Sequence, residues 1–238
     1  MTHISFKGEQ SNLIPFFRPT SDGKITRKIT KEEYERRIAA DPQDNVRARE
    51  WSTPKDSGIA YEETYSALSG KIVAINIRDH EQYGRSIAVT LRQISGSKGI
   101  FTVGTGSQYG MSLMERLPNI DFGEEVRINA FAKTVNENTR YSIYLNQGEN
   151  RVESFFKKYN PETKEWTISH GYPEVSEKEK KKYGDKYWSQ RYFPECSVFL
   201  VEYIEKNIAP KVNELTEVVT PEIEDEDLTL VENIAKDF

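Results

Sequence analysis

The chain has 238 residues, 36% hydrophobic and 30% charged, which suits one medium core with exposed appendages better than two large cores. A single cysteine, Cys196, excludes an intrachain disulfide, and His3, His80 and His170 are too far apart to form a zinc-ligand motif. The net charge of −5 is unevenly spread: Val212 to Phe238 holds nine acids and one base, or −8, leaving 32 bases and 29 acids, or +3, on the other 211 residues.

The apolar runs are too short for a membrane span and the N-terminus lacks an apolar signal core, so a cytoplasmic setting is expected, in the host if the chain is viral. In chain order, residues 1–60 are expected to be an irregular N-terminal extension punctuated by Pro15, Pro19, Pro42 and Pro54. Within it Thr30–Ala40 has a helical pattern, with Thr30 as N-cap, Glu33 three residues on, and Asp41-Pro42 as the stop.

From about Tyr61 the period changes to two. Lys71–Arg78 sets Val73, Ile75 and Ile77 on one face, and Arg85–Gln93 does the same with Ile87, Val89 and Leu91. A turn containing Tyr83-Gly84 joins them as a hairpin. Gly99–Gly104 is a third strand, and Tyr109, Leu113 and Leu117 have helical spacing before Pro118. Val126, Ile128 and Ala130, then Tyr141, Ile143 and Leu145, mark the inward faces of two further strands. The predicted class is mainly β: a five-stranded OB-fold barrel with a short helix between strands 3 and 4. Arg151–Tyr159 and Glu165–Ser169 could extend the sheet, Glu174–Lys186 is a charged connector, and Val198–Ile208 suits a docking C-terminal helix. This divides the chain into the extension, a core at 61–211 and a disordered acidic tail at 212–238.

A catalytic constellation is not visible in the sequence, and neither an enzyme nor a cofactor is expected. Gly104-Thr105-Gly106 lacks the third glycine of a dinucleotide loop. The acid pairs Glu32/Glu33, Glu62/Glu63 and Glu124/Glu125 are expected to be solvated charges, because neighbours on a strand or helix point apart.

The outward strand faces carry a different signal. Arg127, Phe131 and Lys133 share one outer face, and Arg140 and Tyr144 that of the partner strand. Cations for phosphates and flat rings for stacking are what single-strand binding requires. A register slip of one residue would exchange the faces. Tyr83, Arg85, Arg92 and Phe101 are further candidates, Phe101 being equally readable as core, as are Phe155, Phe156, Lys157 and Lys158, which could instead close the barrel. In the tail, Glu224, Asp225, Glu226 and Asp227 precede an Asp237-Phe238 terminus, a pattern suited to capture by a basic pocket on a partner.

Taken together, Ser69–Ile72, Tyr83–Arg85, Leu113–Pro118, the Val126–Leu145 hairpin, Phe155–Lys158 and Asp237-Phe238 resemble the bacteriophage single-stranded DNA-binding proteins. The resemblance covers roughly Tyr61–Trp166 plus the tail. It implies a protein that coats single-stranded DNA during replication, recombination or repair, and a tail that recruits replication or recombination proteins. Self-association is compatible with it, and a membrane partner is not expected. The ligands of the family's zinc-containing members are missing. An OB-like interaction adaptor and an RNA-binding OB protein remain open as alternatives.

Overall fold

The computed structural model describes residues 14–52, 57–80 and 84–215. They form a mainly β structure with helices at the C-terminal end. Strands β1 (Phe16–Pro19), β2 (Ile25–Lys28), β3 (Val46–Ser52) and β4 (Ser57–Tyr65) precede β5 (Leu68–His80), β6 (Gly84–Arg92) and β7 (Lys98–Gly104). Helix α1 (Lys31–Ala40) lies between β2 and β3, and α2 (Gln108–Met114) follows β7. Then come β8 (Val126–Val135), β9 (Asn138–Gln147), β10 (Asn150–Arg151), β11 (Lys157–Asn160) and β12 (Glu165–Ile168). Helices α3 (Glu177–Tyr183), α4 (Phe193–Asn207) and α5 (Ala209–Leu215) end the described chain. No helix among the described residues is long and apolar enough to cross a membrane.

The expected hairpins are present in the expected register. Ile87, Val89 and Leu91 of β6 are fully buried, as are Val126 and Ile128 of β8 and Ile143 and Leu145 of β9. At a bulge between Ile72 and Ala74 two successive residues of β5, Ile72 and Val73, are both buried. Ser107 caps α2 by accepting from the Gly110 amide, and Tyr109, Leu113 and Leu117 all enter the core.

Two expectations are corrected. First, residues 14–52 are not irregular. Thr30 does cap α1, accepting from the Glu33 amide at 3.1 Å, but β1 to β3 flank the helix and join the main sheet. Phe17, Ile25 and Tyr65 lie in the same hydrophobic core as the later strands. Second, the sheet is not a closed five-stranded barrel. It has ten strands in the order β10-β9-β8-β5-β6-β7-β1-β2-β4-β3 and is open.

The reason lies at the edges of β7 and β9. The outer edge of β7 is taken by β1, in parallel. That of β9 is covered by side chains of α2: Gln108 Oε1 accepts from the Tyr141 amide at 2.9 Å and Ser112 Oγ from the Ile143 amide at 3.0 Å. The Val152 amide then donates to the Leu145 carbonyl. Beyond the short pairing with β10 at its end, the unpaired amides of β9 are thereby satisfied by side chains. The β1–β2 turn also reaches across to β8. Gly23, with φ of +75°, lies so close to the Ala132 amide that a Cβ would sit 2.7 Å from its nitrogen.

The C-terminal helices close the other side. Cys196, Leu200, Val201 and Ile204 of α4 enter the core, and Asn213 of α5 brackets the β5 backbone, with Oδ1 accepting from the Ile75 amide at 3.2 Å. Val212 is buried, so the helical structure runs past the start assigned to the acidic tail. β11 and β12 form a separate two-stranded hairpin rather than extending the main sheet.

Candidate nucleic-acid interface

Cross-strand partners in a sheet share a face, so register defines the surface of the β8–β9 hairpin. Arg127, Asn129, Phe131 and Lys133 stand opposite Asn146, Tyr144, Ser142 and Arg140, all on the outer face. Phe131 is 39% exposed, and its ring centroid lies 5.3 Å from that of Tyr144. The Arg151 guanidinium sits 4.2 Å above the Tyr144 ring. Arg127, Lys133, Arg140 and Arg151 are exposed around this pair. Two rings and four cations therefore occupy one face, an arrangement that offers both stacking and phosphate contacts.

The same face continues across the sheet. Ser69 pairs with Arg127, and two residues on, Lys71 pairs with Arg92, which in turn pairs with Lys98. Like charges in direct cross-strand register repel. Here three bases stand in one row, relieved in part by a Lys71 Nζ hydrogen bond to the Gly123 carbonyl. A polyanion laid over the row would remove that repulsion. Of these, sequence reasoning identified Arg92 and missed Lys71, Lys98 and Arg151; the period-two parity of β5 and β7 was the available signal for the two lysines.

Other expected residues lie elsewhere. Phe101 and Phe156 are fully buried and belong to the core, so they are corrected as binding candidates. Inward parity places Phe101 opposite Val89, and Phe156 packs edge-on against Phe199 and Tyr203. Phe155 is half-buried and stacked on His170 at 3.9 Å. Lys157 is committed to Glu115, an ion pair beside the Tyr172 ring. Arg85 pairs with Asp79 and, at 3.9 Å, with Glu205. Lys158 is exposed on the far face of its hairpin from Lys157. Tyr83 and the tail residues Glu224, Asp225, Glu226, Asp227, Asp237 and Phe238 lie outside the described residues.

A further cluster went unread in the sequence. Glu62 and Glu63, expected to be solvated, are buried. Glu62 is met by Arg18, Arg47 and Arg49 at 3.0 to 3.1 Å, and Glu63 by Arg27 and Arg37 at 2.7 and 3.0 Å. Burial pushes both carboxyls towards the neutral form, but the guanidinium hydrogen bonds and charges outweigh it and hold both below the ordinary carboxylate range. Five cations therefore converge on two carboxylates in the N-terminal part of the sheet.

Comparison of the chain with protein-family models, curated proteins and solved structures finds no match.

Proposed function

We propose that the protein binds single-stranded nucleic acid, DNA in the first instance, along the outer face of β8 and β9. The observation that carries this reading is the Phe131–Tyr144 ring pair, Phe131 exposed and Tyr144 half-buried, ringed by Arg127, Lys133, Arg140 and Arg151. Rings stack on any base and cations follow the backbone, so little base preference is expected. The fold supports the same reading. Strands β5 to β9 pair in the order β9-β8-β5-β6-β7 with α2 between β7 and β8, the neighbour order of an OB-fold whose last closing pair is replaced by a helix. On this reading the chain coats single strands during replication, recombination or repair. The acidic segment ending in Asp237-Phe238 would then serve as a recruitment peptide for replication proteins.

The test is fluorescence anisotropy with a labelled oligothymidylate, beside RNA of equal length. Phe131→Ala and Tyr144→Ala should each cost about 1–3 kcal/mol of binding. Arg127→Ala should instead flatten the dependence of affinity on salt by about 0.7 in log–log slope. Unchanged affinity in both ring variants would overturn the assignment. Tighter binding to RNA would shift the substrate and leave the face intact.

A further inference from the structure

The outer face of β5, β6 and β7 carries no carboxylate from these strands. Asp79 is the one acid among their residues. Register sets it opposite Arg85 on the other face, where the Arg85 Nε donates to its carboxylate at 2.6 Å. Outward, β6 presents Arg92, Thr90, Ala88 and Ser86 in succession, since alternate residues of a strand share a face. At one end of this series Lys71 and Lys98 stand on either side of Arg92; at the other, Arg78 and Gly104 stand on either side of Ser86.

Arg78 differs from the other bases of this surface. It is half-buried, yet among the described residues it makes no ion pair and no hydrogen bond. Burial alone acts on its charge and draws its pKa below the ordinary value. A desolvated cation without a counter-charge is unfavourable, and the half-buried arginines at Glu62 and Glu63 all have one. Beside Arg78 the groups are polar: the Ser86 hydroxyl stands 3.0 Å from Nε2 of His80, which shares the same face two residues along β5. Beyond Ser86 the surface is open, because a methyl group placed on Gly104 would meet nothing within 4 Å.

Resting on the reading of the outer face as a single-strand site, we infer that Arg78, with Ser86 and His80 beside it, is a phosphodiester-holding subsite that anchors the backbone of a bound single strand at the far end of the β5–β7 surface. A guanidinium takes two phosphate oxygens in a bidentate fork and receives in return the counter-charge that Arg78 lacks. The hydroxyl and the imidazole can add further donors, and the space at Gly104 admits the sugar. Six residues of β6 separate Ser86 from Arg92, about 20 Å along the strand, over a floor that includes the small side chains of Ala74, Thr90 and Ala88. An oligonucleotide too short to cover that distance meets the β8–β9 rings and the Lys71–Arg92–Lys98 row without reaching Arg78.

The experiment uses the full chain, Arg78→Gln and Arg78→Lys, with a long and a short oligothymidylate titrated over a salt series. Arg78→Gln should flatten the log–log salt slope for the long oligonucleotide by about 0.7, the contribution of one phosphate contact, with the loss of affinity greatest at low salt. Binding of the short oligonucleotide should be unaltered, Arg78→Lys should restore the slope, and the thermal midpoint of Arg78→Gln should not fall, because the arginine has no partner to lose. If Phe131→Ala weakens binding but Arg78→Gln leaves the slope for the long oligonucleotide unchanged, the subsite is overturned and the ring face stands. If Arg78→Gln lowers the thermal midpoint and weakens both lengths alike, the arginine is structural and the inference is likewise overturned. Inorganic phosphate supplies the remaining arm: a midpoint raised by phosphate in the parent but not in Arg78→Gln, with the oligonucleotide slope unaffected, would assign the subsite to free phosphate instead of the strand. If the parent protein binds no single strand at all, the underlying reading fails and takes this one with it.

Discussion

Glu62 and Glu63 are adjacent on β4 and so face opposite sides of the sheet, each meeting its own set of arginines. Glu62 is only 1% exposed. Removing the charge of one partner from a buried cluster typically costs about 3–5 kcal/mol, because the others are left uncompensated. Glu62→Gln should therefore lower stability to urea by roughly that amount. The pH dependence follows from the direction of the shifts. Both carboxyls are depressed below their ordinary value of 4.5 in the folded protein, so their stabilisation is fully present above that value and is lost as pH falls through the lower, folded one. The thermal midpoint should be flat from neutral pH to about 5 and then drop, and the drop should be shallower in Glu62→Gln. A midpoint with equal acid sensitivity in both proteins would contradict this. The sequence did not reveal the cluster, because its five arginines come from β1, β2, α1 and β3, separated by up to 44 positions from the carboxylates they meet. Phe101 shows the opposite case. Its parity with Val103 was visible, and the structure resolves the ambiguity by burying it.

At the scale of elements, strand periodicity was legible and edge treatment was not. The alternating runs gave β5, β6, β8 and β9 with the right inward faces, since a half-buried strand writes its environment into every second residue. A closed barrel was the natural completion, but closure depends on what lies beside β7 and β9, and alternation carries no information on that. Ser112 holds the substitute. Its hydroxyl accepts from the Ile143 amide and stands within 3.2 Å of the Ile143 carbonyl and 2.8 Å of Ser142 Oγ. Ser112→Ala leaves the amide of a central residue of β9 without a partner, which should cost about 1–3 kcal/mol. Amide hydrogen exchange provides the specific readout: faster exchange at Ile143, with Ile128 in the neighbouring strand little affected. Uniform acceleration across the sheet would mean that α2 is not the edge cover described. The aromatic–basic character of the outer face was also legible, because Phe131 and Tyr144 fall on the parity that excludes them from the core. Arg151 was not, since it follows a turn and reaches Tyr144 from β10.

For the whole molecule, charge placement matters more than net charge. The formal −5 arises from the C-terminal segment, while the body is mildly basic and carries a row of cations on one face, from Lys133 and Arg140 through Arg127 to Lys71, Arg92 and Lys98. A polyanion held there displaces counterions, so its affinity must fall with salt, whereas stacked rings discriminate single strands from duplex, whose bases are already stacked. The most direct measurement is a competition titration of labelled oligothymidylate by unlabelled single strand and by duplex of equal length, repeated over a salt series. The expected result is displacement by single strand at far lower concentration than by duplex, with affinity declining linearly in log–log form as salt rises. Duplex competing as well as single strand, or an affinity indifferent to salt, would contradict the assignment of the β8–β9 face.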